Sequence, residues 1–227
     1  MIRRPPRSTQ GVSSAASDVY KRQILIFLSI STSPSMLIDT PKHSETASND
    51  STLDLVFLGN SYTSNNQLHV RVNNLLDAAG FDPEVQAFTS GGKTLAWHGE
   101  QAETEGSEWY DALRTPHDFI LLQDQSQVPG FPTTTSYWQD SLQGAEIIDG
   151  LVDDNGGDTF FVMTWGYRFG DEGNSWRYPD YETMQNHLQT GYLAYAENLS
   201  SEERAFFIAA VGLAFENIYC DSQGWFS

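Results

Sequence analysis

Apolar positions along the chain fall into two alternating patterns, separated by glycine and polar breaks. Leu53 to Leu58 is a nearly continuous apolar run, the mark of a strand buried on both faces. Leu68, Val72, Leu75, Leu76 and Ala79 then recur at helical spacing and stop at Gly80, a good helix terminator. Val85–Phe88 predicts a short strand, ended by Ser90-Gly91-Gly92. Trp109, Ala112 and Leu113 predict a helix that ends before Pro116, and Phe119–Leu122 a strongly apolar strand. Trp138, Leu142, Ala145, Ile148, Leu151 and Val152 form a helical stripe closed by Asn155-Gly156-Gly157. Thr159–Thr164 predicts a further strand, Tyr181 to Tyr195 a helix with one apolar face, and Phe206–Val211 the last strand. Strands alternating with helices predict a parallel sheet covered by helices on both sides.

Ligands of such sheets bind at the carboxyl ends of the strands. The residues just after each predicted strand are therefore the candidates for chemistry. They are Gly59-Asn60-Ser61, Ser90-Gly91-Gly92-Lys93-Thr94, Gln123-Asp124-Gln125-Ser126, Trp165-Gly166 and Gly212. All are polar or glycine-rich, and all are expected on one edge. Ser61 stands at a strand end and a helix start, where backbone N–H groups favour a developing negative charge. Its alternative is an ordinary turn or N-cap serine. Gly91-Gly92 reads equally as a plain loop, and Gln123 and Gln125 as structural hydrogen-bonders. Trp97 and His98 could line the site, although a lone histidine is more often structural.

Charge and the N-terminus change this picture in one respect. Residues 13–23, SSAASDVYKRQ, back-translate to a transposon-end adapter of the kind used in sequencing libraries. We therefore expect residues 1–23 to be an adapter-like artefact, outside the fold. Five of the 12 basic residues lie there against one of the 30 acidic ones, so the remainder carries a net charge of −22. Such a charge argues against nucleic acid and against an anionic membrane as partner, because both would be repelled. Residues 24–52 read as a signal-peptide remnant followed by a polar linker; the apolar run at 24–36 is too short to span a bilayer. That reading implies a secreted or periplasmic protein. From residue 53 to 227 there is room for one domain. The single cysteine, Cys220, makes no internal disulfide, and no paired Cys/His spacing suggests zinc.

The blocks GNSYT, SGGKTLAWH, LLQDQSQ, MTWGY and VGLAF resemble, in that order, those of the SGNH (GDSL-like) hydrolases. They are most similar to a branch with Gly-Asn-Ser at the nucleophile and a Gln-rich third block. The resemblance covers about Asp54 to Ala214. It implies a three-layer α/β/α, flavodoxin-like parallel sheet and a serine esterase with no metal or organic cofactor. Ser61 matches the nucleophile. The oxyanion hole of the family combines the serine N–H, a glycine N–H of the second block and an amide of the third. Gly92 fits the glycine, with Gly91 as runner-up. Gln125 falls where the family has asparagine, with Gln123 as runner-up.

A serine needs a base to take its proton. The family supplies an Asp-x-x-His pair after the last strand. Here Asp221-Ser222-Gln223-Gly224 has the aspartate but glycine in place of histidine, so the role does not pass to Asp221. None of His43, His69, His98, His117 and His187 follows the last predicted strand. The expectation is a metagenomic gene fragment, cut at the C-terminus. The function expected is ester hydrolysis through an acyl-enzyme at Ser61, with a small-molecule or carbohydrate ester as substrate and O-deacylation of a carbohydrate as the leading case. The alternative is a non-catalytic carbohydrate-binding or surface protein on the same fold, with Trp97, Trp165, Tyr167 and Trp176 as stacking platforms. A nucleotide binder is disfavoured, because no phosphate loop follows the first strand.

Overall fold

The computed structural model describes residues 52–65, 67–201 and 206–223. The adapter-like stretch, the leader-like run and His43 lie outside the described residues, as does nearly all of the polar linker. Five strands are formed: β1 (Thr52–Gly59), β2 (Asp82–Thr89), β3 (Phe119–Leu122), β4 (Asp158–Val162) and β5 (Phe207–Ala209). Between and after them run α1 (Ser61–Ser64), α2 (Leu68–Ala78), α3 (Leu95–Glu103), α4 (Glu108–Ala112), α5 (Ser136–Asp154), α6 (Tyr181–Leu199) and α7 (Val211–Gln223). Short 3-10 turns occupy Val128–Gly130 and Glu172–Asn174.

The sheet order is β2-β1-β3-β4-β5, and every pairing is parallel. Each strand alternates its side chains between two faces, and both faces are covered. On one, Val56, Leu58, Ile120, Leu122 and Phe161 pack against Leu95 of α3, Ile148 of α5 and Tyr192 of α6. On the other, Leu55, Phe57, Leu121 and Val162 meet Leu68, Val72 and Leu76 of α2 and Val211 of α7. The fold is thus a three-layer α/β/α sandwich. β2 is an edge strand. Its first residues alternate exposed and half-buried because successive side chains point to opposite faces, Val85 and Ala87 lying on the face that α2 covers.

The helices begin where side-chain oxygens take the first free backbone N–H groups. Thr94, Ser107, Thr135 and Asp180 accept from Trp97, Tyr110, Trp138 and Thr183 respectively. Two helices go beyond the predicted set. In α3, the buried residues are Leu95, His98, Gly99 and Ala102, a face too small and polar to read as an apolar stripe. α7 begins at Val211 directly after β5, so Val211 belongs to the helix and not to the strand.

One close approach sets the position of the loop after β3. A Cβ on Gly191 of α6 would collide with the carbonyl oxygen of Pro129. Residues 128–130 therefore rest in a notch that only glycine leaves open.

Candidate active site

The order of strands reverses on either side of β1, which lies between β2 and β3. In open parallel sheets the crevice at such a switch point, outside the carboxyl ends, is where ligands sit. Ser61 follows β1 and Gln125 follows β3, so the two stand on either side of it. The strand ends are level: Leu58 pairs with Leu122 and Gly59 with Thr89.

Asn60 fastens this edge together. It is buried, and its Nδ2 donates to the carbonyls of Lys93 at 3.1 Å and Asp124 at 3.3 Å. Its Oδ1 accepts from Tyr62 N at 3.1 Å. One amide thereby joins the loops after β1, β2 and β3. Its neighbours in sequence are the three candidates: Ser61 follows Asn60, Gly92 precedes Lys93 and Gln125 follows Asp124. Gly92 has φ +69° and occupies the third position of a turn closed by Lys93 N to Ser90 O at 3.2 Å, a place that favours glycine. Ser61 is the first residue of α1, so its N–H is one that a helix leaves unpaired within itself.

The two glutamines differ. Gln123 is buried, and its Oε1 accepts from Asn60 N at 3.0 Å and from Thr63 Oγ1 at 2.9 Å. Its Nε2 donates to the Asp124 carbonyl. Gln123 is therefore committed to holding the β1–α1 turn. Gln125 is half-buried; its Oε1 accepts from Gln127 N at 2.8 Å and its Nε2 donates to Gln127 Oε1 at 2.6 Å.

Asp124, which the motif reading passed over, is an organising residue. It has no exposed surface. Oδ1 accepts from Leu95 N (2.9 Å), Gln125 N (2.7 Å) and Ser141 Oγ (3.2 Å), and Oδ2 from Tyr195 OH (3.0 Å). These donors come from α3, the β3 loop, α5 and α6. Burial pushes its carboxyl up to about 6, against the opposing pull of those four hydrogen bonds.

A stack of aromatic rings stands beside Ser61. Tyr62 lies on Trp165 at 4.6 Å and Trp165 on Phe215 at 4.1 Å. Ser126 Oγ and Tyr167 OH are 2.6 Å apart. Burial, with the nearby Tyr167, raises the pKa of the Tyr62 hydroxyl.

No protein-family model matches the chain, and no curated protein matches it. Solved structures do. A protein from Slackia heliotrinireducens assigned to the SGNH hydrolases superposes with a TM-score of 0.59 at 20% identity, over 73% of this chain and 83% of that one. This chain has the SGNH hydrolase fold. A DUF4886 family protein from Bacteroides uniformis is also similar, with a TM-score of 0.52 at 16% identity over 65% of this chain and 64% of that one.

The histidines can be placed against this SGNH frame. His98 is fully buried behind the end of β1. Its Nε2 lies 3.0 Å from the Gly59 carbonyl and its Nδ1 2.9 Å from Trp109 Nε1. A carbonyl only accepts and an indole N–H only donates. Nε2 therefore carries the proton, and both ring nitrogens are used. Burial pushes its pKa down to about 4. His117 faces Asp54 at 3.0 Å, at the amino edge of the sheet. A shallow crevice there, lined by Leu113, Thr115, His117, Ile120, Val152 and Asn155, lies at the opposite edge from Ser61. His187 packs on Tyr178, with ring centroids 6.2 Å apart. Among the described residues, no histidine is hydrogen-bonded to Ser61. Among them too, no group of three or more His, Cys, Asp or Glu side chains could hold a metal, and no helix is long and apolar enough to cross a membrane.

Proposed function

We propose that the chain is a serine hydrolase of ester bonds. Ser61 Oγ gives its proton to the base and attacks the acyl carbon. The oxyanion is held by the N–H groups of Ser61 and Gly92 and by the Gln125 amide. Its collapse breaks the ester bond and expels the alcohol, which takes the proton from the base. Water then releases the acyl group from Ser61. The observation that carries this assignment is the Asn60 amide. It bonds Lys93 and Asp124 and so gathers the sequence neighbours of all three groups. Preorganised donors of this kind stabilise charge that develops in the transition state. We assign the base to an Asp-x-x-His pair of the kind the family resemblance implies, and to none of the described histidines. The substrate we favour is an O-acylated carbohydrate, and the leader-like run at residues 24–36 favours a secreted or periplasmic setting.

The test is covalent labelling. With an Asp-x-x-His segment restored after α7, a fluorophosphonate should give one adduct by intact mass, mapped to Ser61, and Ser61→Ala should lose it. An adduct elsewhere, or labelling unchanged by Ser61→Ala, would refute the assignment.

A second reading, a non-catalytic carbohydrate-binding protein, is favoured by one observation. Phe169 and Trp176, on the loop after β4, are 84% and 70% exposed. Sugar binding that persists in Ser61→Ala, with no hydrolysis of any acetyl ester even by a chain carrying an Asp-x-x-His segment, would favour it.

A further inference from the structure

The loop after β4 reaches back to the loop after β3 through a chain of side-chain amides. Gln127 Nε2 donates to Asp171 Oδ2 at 2.6 Å. Gln127 Oε1 accepts from Gln125 Nε2 at 2.6 Å, and Gln125 Oε1 accepts from the Gln127 backbone N–H at 2.8 Å. Asp171 is itself held by Gly173 N on Oδ1 at 3.1 Å and by Asn174 Nδ2 on Oδ2 at 2.6 Å. The Tyr178 hydroxyl donates to the Gln127 carbonyl at 2.6 Å, and Arg177 Nε to the Gly130 carbonyl at 2.9 Å. The two loops are pinned together.

An amide group can usually face either way. Here both ends of the chain have only one sense. A backbone N–H can only donate, and an ionised carboxylate can only accept. Asp171 therefore forces the Gln127 NH2 towards itself, which turns the Gln127 oxygen towards Gln125. Gln125 must then present its NH2, and one of its two N–H bonds is used on Gln127. Among the described residues the second has no partner.

We propose that Asp171, acting through Gln127 and together with the Gln127 backbone N–H that bonds Gln125 Oε1, is a positioning residue that holds the Gln125 amide in the direction presenting its free N–H at the edge beside Ser61. This rests on the esterase assignment only for the purpose of that N–H, which is to meet the oxyanion. The orientation itself stands on the hydrogen bonds.

The polarity can be reversed by substitution. Asp171→Asn keeps the shape but can accept at only one of its two positions, and Gly173 N claims that one. The new NH2 then opposes the NH2 groups of both Gln127 and Asn174. Asn174 can turn its own oxygen towards it, whereas Gln127 is held by Gln125. Adding Gln127→Glu restores the sense of the chain. One oxygen of the new carboxylate accepts from the new amide at position 171, and the other accepts from Gln125. Two readouts decide the matter, one on the full 227-residue chain and one on that chain extended after α7 by an Asp-x-x-His segment. The first is the side-chain amide resonances of Gln125, recorded with 15N labelling. They should move in the single variant D171N and return in the double variant D171N/Q127E. The second is the rate of Ser61 labelling by a fluorophosphonate in the extended chain, where the serine has its base. It should fall about 10²-fold in D171N, the size of losing one oxyanion donor, with unchanged thermal stability, and recover in the double variant. A purely structural role would lower thermal stability in step with the labelling rate and leave the Gln125 amide resonances unmoved. If D171N unfolds, Q127E alone serves, since it sets two carboxylates against each other and should show the same losses. Resonances unmoved in both single variants would overturn the proposal. So would resonances that move while Ser61 labelling stays at the parent rate. If Ser61→Ala labels as fast as the parent, the esterase assignment fails, and the amide resonances alone decide whether the relay exists.

Discussion

Two polar networks share the carboxyl edge of the sheet. The inner one comprises Asn60, Gln123, Asp124 and His98, all buried. The outer one comprises Gln125, Gln127 and Asp171, all half-buried. In the inner network Asp124 alone collects four donors, and both nitrogens of His98 are used. Such groups must be satisfied, because an unpaired buried polar atom costs about 1–3 kcal/mol. Satisfied, they have nothing left for a substrate. The outer network is held just as firmly but keeps an N–H in reserve. Chemistry belongs where polar groups are oriented without being used up. The two glutamines flanking Asp124 make the contrast within one short motif: Gln123 is scaffold and Gln125 is the candidate donor.

The largest expected effect lies at Ser61. A chain carrying an Asp-x-x-His segment after α7 should hydrolyse p-nitrophenyl acetate orders of magnitude faster than the 227-residue chain. Ser61→Ala should remove that gain, leaving at most the ~10³–10⁴ acceleration over water that binding and an oxyanion hole give alone. A 227-residue chain that is already a fast esterase and loses activity in His187→Ala would instead make an internal histidine the base.

Next come the glutamines. In the extended chain, Gln125→Ala should lower kcat by about 10²–10³ and leave the urea midpoint nearly unchanged. Gln123→Ala should instead act on stability, losing roughly 1–3 kcal/mol as Asn60 N and Thr63 Oγ1 lose their acceptor. Equal behaviour of the two variants would erase the distinction between the networks.

A subtler effect concerns pH. Asp124 is raised from 3.8 to about 6, so its contribution to stability is present below pH 3.8 and is lost as pH rises through about 6. His98 is lowered from 6.5 to about 4, so its contribution is present above pH 6.5 and is lost as pH falls through about 4. Each amounts to roughly 3 kcal/mol at ~1.36 kcal/mol per pKa unit, and over the shared window the slopes oppose. The parent should therefore show little pH dependence from this pair. Asp124→Asn can keep three acceptor contacts at its oxygen and donate to the Tyr195 hydroxyl. Its stability should rise from about pH 4 to 6.5, while that of His98→Gln should fall. Urea midpoints across that range check both; curves parallel to the parent's would mean that neither group titrates as described.

The strands were legible because their burial is written locally. Leu55–Leu58 and Phe119–Leu122 are apolar runs, and both form central strands. The helix α3 was not, because its inner face relies on His98, Gly99 and Ala102, which fit by being small or by finding hydrogen bonds. Helix α7 was hidden because Val211 continues the apolar run of β5. At the candidate site, the positions of Ser61, Gly92 and Gln125 after their strands could be read in sequence. The binding role of Asn60, the four donors on Asp124 and the reach of Asp171 to Gln127 could not. Partners such as Lys93 for Asn60, Asp171 for Gln127 and Tyr195 for Asp124 lie 33, 44 and 71 residues away, and no local spacing encodes such pairs. The only hint was a carboxylate set between two glutamines directly after a buried strand.

The notch at Gly191 limits how this edge could be altered. Gly191 sits inside helix α6, where alanine would ordinarily favour the helix by about 1 kcal/mol. A stability-minded redesign would therefore choose that exchange first. Yet the added methyl group would push on Pro129, two residues from Gln127, and so lift the loop that carries the amide relay. A glycine on the face of α6 that meets Pro129 thus acts as the shim that sets the height of the loop carrying the candidate oxyanion donor.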